Sequence, residues 1–419
     1  MHEFKYKQNE FYCEDLKVKD LAAKYKTPLY VYSYKTICDH YLKLKKAFSS
    51  IRPLICFSVK ANSNLSILKM LVKRGAGLDI VSQGELYRAL KAGCAANKIV
   101  YASVGKTGAE IEQAIKAGIL FFNVESLPEL ENVNRIAGAA DKKVKVALRI
   151  NPDVGAKTHK FITTGKSSNK FGIDFATAYD IMQHCAYFAH LDIAGLHIHI
   201  GSQITQGKSF VEAIKKIMQF LKQLKKNNIK LRYLNIGGGL GIVYDKEEPQ
   251  TATEFAAKVV PLLKKTGLKI ILEPGRFIAG NAGIIVSRVL YVKKSAVKKF
   301  IISDTAMNDL MRPALYGAYH KIIPLQRKES KPGIRHMYDV VGPVCESGDF
   351  IAKARLLPEF SQGDLFAVMS SGAYGFSMSS NYNSRLRAAE VLVVKNKAYL
   401  IRKRETNKDL IRNEIIPHL

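Results

Sequence analysis

The chain has 419 residues, 47% of them hydrophobic, and its 65 basic against 36 acidic side chains give a net charge of +29. It is apolar and long enough for two cored domains, and it shows no bilayer-length apolar run, no signal-peptide stretch in Met1-His2-Glu3-Phe4-Lys5 and no C-x-x-C pair. These features argue against a membrane span, export, a disulfide framework or a metal site and lead us to expect a soluble, cytoplasmic protein. The charge would attract polyanions, but it is dispersed in runs such as Lys222-Gln223-Leu224-Lys225-Lys226 that read as the solvated face of a helix, and no motif for specific nucleic-acid reading accompanies it.

The first thirty or so residues include a strand at Pro28-Leu29-Tyr30-Val31-Tyr32, set before the main repeat. Eight apolar, strand-like runs follow, at 54–59, 77–81, 98–102, 119–124, 144–150, 193–199, 232–236 and 269–273. Segments between them, such as Asn64 to Arg74, Gly84 to Ala92, Ala109 to Ala117 and Phe210 to Lys226, carry apolar residues at helical spacing. Eight β-then-α units over about 240 residues predict an α/β TIM barrel, typically ~250 residues long; an open doubly wound sheet is the alternative. Beyond residue 276 the helical period fades into short β-rich runs at 284–292, 300–303, 337–341, 364–368, 389–394 and 398–402, which predict a C-terminal all-β domain. The expected organisation is an N-terminal segment, 1–32, pairing with the β domain; a barrel, 33–280; and the β domain, 281–419.

A barrel gathers its chemistry at the carboxyl ends of its strands. Those ends hold Lys60, Asp79, Gly105 with Lys106, Glu125 with Ser126, Asn151, the stretch from His197 to Ser202, Gly237-Gly238-Gly239, and Glu273-Pro274-Gly275-Arg276. Lys60 in Phe57-Ser58-Val59-Lys60-Ala61-Asn62 reads either as a snorkelling surface lysine or as an amine made nucleophilic by desolvation. The glycine cluster, with Ser202 and Gly275-Arg276, has the composition of a phosphate cup, although glycines alone more often mark turns. Glu273 ends an apolar strand, where its carboxylate needs a partner; a protonated ring nitrogen such as that of pyridoxal phosphate is one. His199, expected to point inward from its strand, offers a planar ring to stack on such a cofactor.

Taken in order, these motifs resemble the diaminopimelate decarboxylases, fold-type III enzymes that use pyridoxal 5'-phosphate. The resemblance runs over nearly the whole chain and includes Asp79-Ile80-Val81-Ser82, Asn169-Lys170-Phe171-Gly172, Met311-Arg312-Pro313-Ala314-Leu315-Tyr316, Gly342-Pro343-Val344-Cys345-Glu346-Ser347 and Gly372-Ala373-Tyr374-Gly375. It implies conversion of meso-2,6-diaminopimelate to L-lysine and carbon dioxide, the last step of lysine biosynthesis. Lys60 would hold the cofactor covalently and His199 would stack on it. Glu273 would meet its ring nitrogen, and Ser202, Gly239, Gly275, Arg276 and Tyr374 would lie around the phosphate or nearby substrate, with Asp79, Gly237 and Gly238 in the same cofactor-binding set. Arg276, Arg312 and Tyr316 would take the distal carboxylate, with Tyr374 beside the substrate, and Glu346 the distal ammonium. Cys345 would return a proton after carbon dioxide leaves. The resemblance further implies a homodimer with shared active sites and a closing loop at 157–170.

Two positions depart from the family pattern: Arg387-Ala388-Ala389-Glu390 has alanine where proline is usual, and Phe57-Ser58 replaces Tyr-Ala. Both read as scaffold changes. The alternatives are a related decarboxylase for ornithine, arginine, D-lysine or carboxynorspermidine, or a non-catalytic protein that binds pyridoxal phosphate. A racemase is disfavoured because it needs a second base where an acid stands here.

Overall fold

The computed structural model describes residues 2–155, 170–327 and 335–419. Two compact units emerge: one comprises His40–Ile242 with Glu247–Ile278, the other the chain to Asp39, Val243–Lys246 and Ala279–Leu419.

In the first unit, strands Leu54–Ser58, Gly77–Ile80, Ile99–Tyr101, Phe121–Val124, Val144–Arg149, Leu191–His197, Tyr233–Asn235 and Lys269–Leu272 lie side by side in parallel. The last pairs with the first, Ile271 opposite Leu54 and Leu272 opposite Ile55, so the sheet closes into a barrel. Cys56, Val100, Phe121, Ala147 and Ile271 fill part of its interior.

Local chemistry marks where four of the helices begin. Ser82, Thr107, Ser126 and Thr251 each accept the backbone N–H of the glutamate three residues on, and Thr107–Glu110 and Thr251–Glu254 do so reciprocally. Each cap satisfies orphan donors and stabilises its helix by about 1 kcal/mol. Helix Lys208–Lys226 buries Phe210, Ala213, Ile214, Ile217, Phe220 and Leu224 on one face and leaves Lys222, Lys225 and Lys226 exposed, so this part of the positive charge is a solvated face.

The second unit is mostly strand. Its main sheet runs in the order Phe350–Pro358, Arg335–Val341, Lys299–Ser303, Gly283–Lys294, Leu29–Ser33, Ala389–Val394, Lys397–Arg402. Ile322–Pro324 pairs with Leu365–Val368, which in turn pairs with Gly283–Lys294. Leu29–Ser33 is buried along its whole length, antiparallel to one neighbour and parallel to the other. Sequence reading did not locate the strands Ile322–Pro324 and Phe350–Pro358 or the short helices Val18–Tyr25, Arg312–Tyr316 and Asn407–Ile411. Among the described residues no helix is long and apolar enough to cross a membrane.

Candidate active site

Lys60 lies in a single 3-10 turn, Val59–Ala61, directly after the first barrel strand. Its Nζ sits 2.9 Å from Asp79 Oδ2, and the Ser58 hydroxyl donates to the same oxygen at 2.7 Å. Asp79 is fully buried while Lys60 keeps 38% of its side chain exposed, so the amine faces the open end. Burial, and then the nearby Glu273 charge, raise the Asp79 carboxyl despite Lys60 and Ser58. Asp79 Oδ1 is buried without a hydrogen-bond partner.

Glu273, just past the last barrel strand, is the second buried carboxylate. Its Oε1 accepts from Asn235 Nδ2 at 2.5 Å and from Asn123 Nδ2 at 3.2 Å, and its Oε2 lies 3.2 Å from His197 Nε2. Burial alone would push this carboxyl up; His197, Lys60 and Asn235 outweigh it and hold the group well below the usual carboxylate range. The result is a fixed anion in a nearly dry site. Asn123, Asn235 and His197 are at most 1% exposed, and none of their contacts to Glu273 was foreseen from sequence. A signal was present: each is a lone polar residue at or next to the carboxyl end of an apolar barrel strand.

The expectation that His199 points inward from a strand is corrected. The strand ends at His197, and His199 belongs to the loop that follows. There its Nδ1 accepts the Gly238 amide at 3.2 Å, so the ring proton resides on Nε2. Burial, then Arg149 and Lys60, holds its pKa well below the ordinary value, and the ring is a neutral plane.

The glycine cluster packs backbone against backbone. A Cβ on Gly238 would stand 2.1 Å from the Glu273 carbonyl, and one on Gly239, at φ +112°, 2.4 Å from that of Gly201. No larger residue fits there without moving main chain. Gly237 donates to Asn235 Oδ1 at 2.9 Å, while the amides of Gly239 and Gly275 have no protein acceptor among the described residues. Arg276, 7% exposed, donates to Ser202 Oγ through Nη2 at 3.1 Å and Nε at 3.4 Å. With its oxygen serving the guanidinium, the Ser202 hydroxyl has its own proton to offer an anion.

Other strand-end residues are taken up in structural pairs. Lys106 donates to Glu129 at 2.5 Å and to the carbonyls of Ser103 and Asn123, and Arg149 Nη1 donates to both oxygens of Glu125 at 2.8 Å. All four side chains are buried.

Five expected site residues belong to the second unit. Arg312, 7% exposed, starts the helix Arg312–Tyr316; its Nη1 donates to His320 Nε2 at 2.7 Å, and its guanidinium lies 4.5 Å from the Tyr244 ring centre. Tyr316 closes that helix, partly buried. Cys345 is exposed, its amide donating to Asn383 Oδ1 at 2.9 Å, and Glu346 accepts the Tyr382 hydroxyl at 2.8 Å. Both ride on a turn knitted by Asp349, which accepts the amides of Met307 and Val344. Tyr374 adopts φ +56°, costly for a tyrosine and a conformation concentrated at functional sites. The loop expected at 157–170, with Asn169 of its motif, lies outside the described residues except for Lys170.

An amine beside a buried carboxylate, a second carboxylate held ionised, a neutral imidazole plane, and a cup of amides, hydroxyl and guanidinium are together the groups pyridoxal phosphate needs for its aldehyde, ring nitrogen, ring face and phosphate. The cup admits no side chain, and Asp79 retains an unsatisfied oxygen. The residues therefore fit that cofactor.

Comparison with known proteins agrees. The family model described as pyridoxal-dependent decarboxylase, pyridoxal binding domain, matches residues 34–280. The chain is 46% identical to the diaminopimelate decarboxylase of Haemophilus influenzae over 98% of each chain. Among solved structures, diaminopimelate decarboxylase from Helicobacter pylori complexed with L-lysine superposes with a TM-score of 0.90 at 42% identity, covering 95% of this chain and 99% of that one. The enzyme from M. jannaschii, also in complex with L-lysine, gives 0.93 at 37% identity over 99% and 98%.

Proposed function

Because the chain belongs to the diaminopimelate decarboxylases, within the pyridoxal-dependent decarboxylases, we propose that it removes carbon dioxide from meso-2,6-diaminopimelate and releases L-lysine. The observation that carries this reading furthest is Glu273, buried yet ionised beside Asn235 and His197, in the same barrel mouth as Lys60.

Pyridoxal phosphate, when bound, supplies an electron sink for the pair left behind by the departing carboxylate. Lys60 holds it through its aldehyde, and Glu273 keeps the ring nitrogen protonated, since an ionised carboxylate stabilises the neighbouring cation. The neutral His199 ring covers one face. Ser202, Arg276 and the Gly239 and Gly275 amides take the phosphate with Tyr374 beside it, Gly237 and Gly238 leave room for it by having no side chain, and Asp79 orients Lys60. Such preorganised dipoles need no rearrangement as charge shifts.

Substrate choice belongs to Arg276, Arg312 and Tyr316, which receive the distal carboxylate with Tyr374 beside the substrate, and to Glu346, which receives the distal ammonium. A guanidinium fork suits a carboxylate, and a site built for it rejects a monocarboxylate by leaving buried donors unpaired. The Cys345 thiol gives its proton to the carbon that has lost carbon dioxide. Two copies share their sites in this reading, the exposed Cys345 and Glu346 of one completing the mouth of the other. None of the six cysteines forms a disulfide, which suits a reducing, cytoplasmic setting.

The test is product analysis of the cofactor-loaded enzyme with meso-diaminopimelate, L-ornithine, L-arginine, D-lysine and carboxynorspermidine in parallel. Lysine and carbon dioxide from diaminopimelate alone are expected. Preferred turnover of another substrate would overturn the assignments of Arg312 and Glu346.

A further inference from the structure

Arg312 opens a helix of only five residues, Arg312–Tyr316, and its guanidinium reaches beyond the helix to two side chains that no motif singled out. One is His320, fully buried, with both ring nitrogens in use: Nε2 meets Arg312 Nη1 at 2.7 Å and Nδ1 meets the Met369 carbonyl at 2.8 Å. Arginine has no lone pair to offer, so Nε2 must accept, and Nδ1 must carry the single ring proton and donate it to the carbonyl. The tautomer is thereby fixed and the imidazole neutral; an imidazolium would set a proton against a guanidinium. The other is Tyr244, whose ring lies 4.5 Å beneath the guanidinium and packs edge-on against His320 at 5.3 Å and 77°.

These two holders are themselves held. The Met369 amide donates to the Lys321 carbonyl at 2.8 Å, continuing the ladder in which Ile322 pairs with Val368, so sheet register sets Met369 opposite Lys321 and its carbonyl within reach of the neighbouring His320. The His320 carbonyl in turn accepts from Arg355 Nη1 at 3.4 Å. Register, imidazole and guanidinium thus form one chain of constraint ending at Arg312.

We infer that His320 and Tyr244 are positioning residues for Arg312: His320 sets the plane and direction of the guanidinium through its Nε2 acceptor, Tyr244 clamps one face, and together they aim the guanidinium at the distal carboxylate of the substrate. The inference rests on the reading of Arg312 as a carboxylate partner. A planar fork recognises a carboxylate bidentately only when its plane is fixed, so these two residues govern affinity for the dicarboxylate substrate and leave the chemistry at the other end unaltered.

The test uses the holoenzyme with meso-diaminopimelate and separates KM from kcat. His320→Asn keeps a polar group at the Nδ1 position, facing Met369, but leaves Arg312 Nη1 without its acceptor; KM is expected to rise about tenfold with kcat within about threefold. His320→Gln can set an amide oxygen where Nε2 stands and is expected to restore KM to within about threefold of the parent. A purely structural histidine would not distinguish these amides in KM alone. Tyr244→Leu, which removes the clamp without touching the imidazole, is expected to raise KM roughly five- to tenfold and carries the test if His320→Asn does not fold. Arg312→Ala is the control on the underlying reading, with a KM increase of about a hundredfold or more. If Arg312→Ala leaves KM unmoved, the carboxylate reading fails. If it raises KM while Tyr244→Leu and any folded His320→Asn do not, that reading stands and the positioning role is overturned.

Discussion

Ser58 and Lys60, two residues apart on either side of a strand end, meet on the same oxygen of Asp79, at 2.7 and 2.9 Å. The Ser58 hydroxyl, like Lys60 itself, opposes the burial and the Glu273 charge that raise this carboxyl, and so favours the charged form that fixes the Lys60 amine. Sequence reading places Ser58 in the scaffold; the structure makes it a neighbour of the reactive amine. Ser58→Ala is expected to weaken pyridoxal phosphate affinity about three- to tenfold, the equivalent of one net hydrogen bond, in an absorbance titration of the cofactor-free protein. Unchanged affinity would return Ser58 to the scaffold.

Glu273→Gln keeps the size of the side chain and abolishes its charge. With no anion to hold a proton on the ring nitrogen, kcat is expected to fall by about 10²–10³, the range for losing one preorganised electrostatic partner. The absorbance of bound cofactor should also shift its pH dependence, a change that a lost packing contact would not produce.

If two copies share their active sites as proposed, mixtures of variants will show it. The Lys60→Ala and Cys345→Ala proteins are each expected to be nearly inactive on their own. Mixed and allowed to exchange, they would place one intact site in each heterodimer, recovering about a quarter of wild-type activity. No recovery after exchange, verified by mass, would mean that each site is built within one chain.

Glu85 supplies a pH signature. Its carboxylate accepts the Val81 amide at 2.8 Å, yet burial pushes its pKa up to about 7 against the opposing pull of Lys60, the Val81 amide and Arg88. Between the ordinary value of 4.5 and about 7 the folded state holds a proton that the unfolded chain has lost, so this contribution is fullest below 4.5 and disappears as pH rises through 7. Glu85→Gln retains an acceptor without the charge. In the cofactor-free protein it is expected to stabilise by on the order of 2 kcal/mol at pH 8 and by little at pH 5, measured as the difference in Tm from the parent.

The barrel was legible because its strands are apolar runs with segments of helical spacing between them, several of which open on a helix start. Ser82 with Glu85, Thr107 with Glu110 and Thr251 with Glu254 mark those starts in the sequence itself, and the eight strands fall within about two residues of their expected bounds. Phe350–Pro358 was not legible: it places Lys353 and Arg355 among its apolar residues, and only pairing with Arg335–Val341 makes it a strand. In the site, residue types announced Lys60, Glu273 and the glycines. His197, Asn123 and Asn235 gain their meaning only when barrel closure brings three distant strand ends around one carboxylate. His320 is subtler still, since its role depends on which nitrogen faces which partner, a matter of sheet register.

The strand Leu29–Ser33 carries a consequence for how the protein is made. It leaves the ribosome well before either of its neighbours, since the Tyr32 hydroxyl bonds Glu390, 358 residues further along, and both flanking strands follow the barrel in the chain. The barrel, contiguous save for one short insertion, can assemble during synthesis while this early strand waits with both edges bare. Such exposed edges invite pairing with other nascent chains, and a ribosome that stalls before residue 389 would leave one of them open.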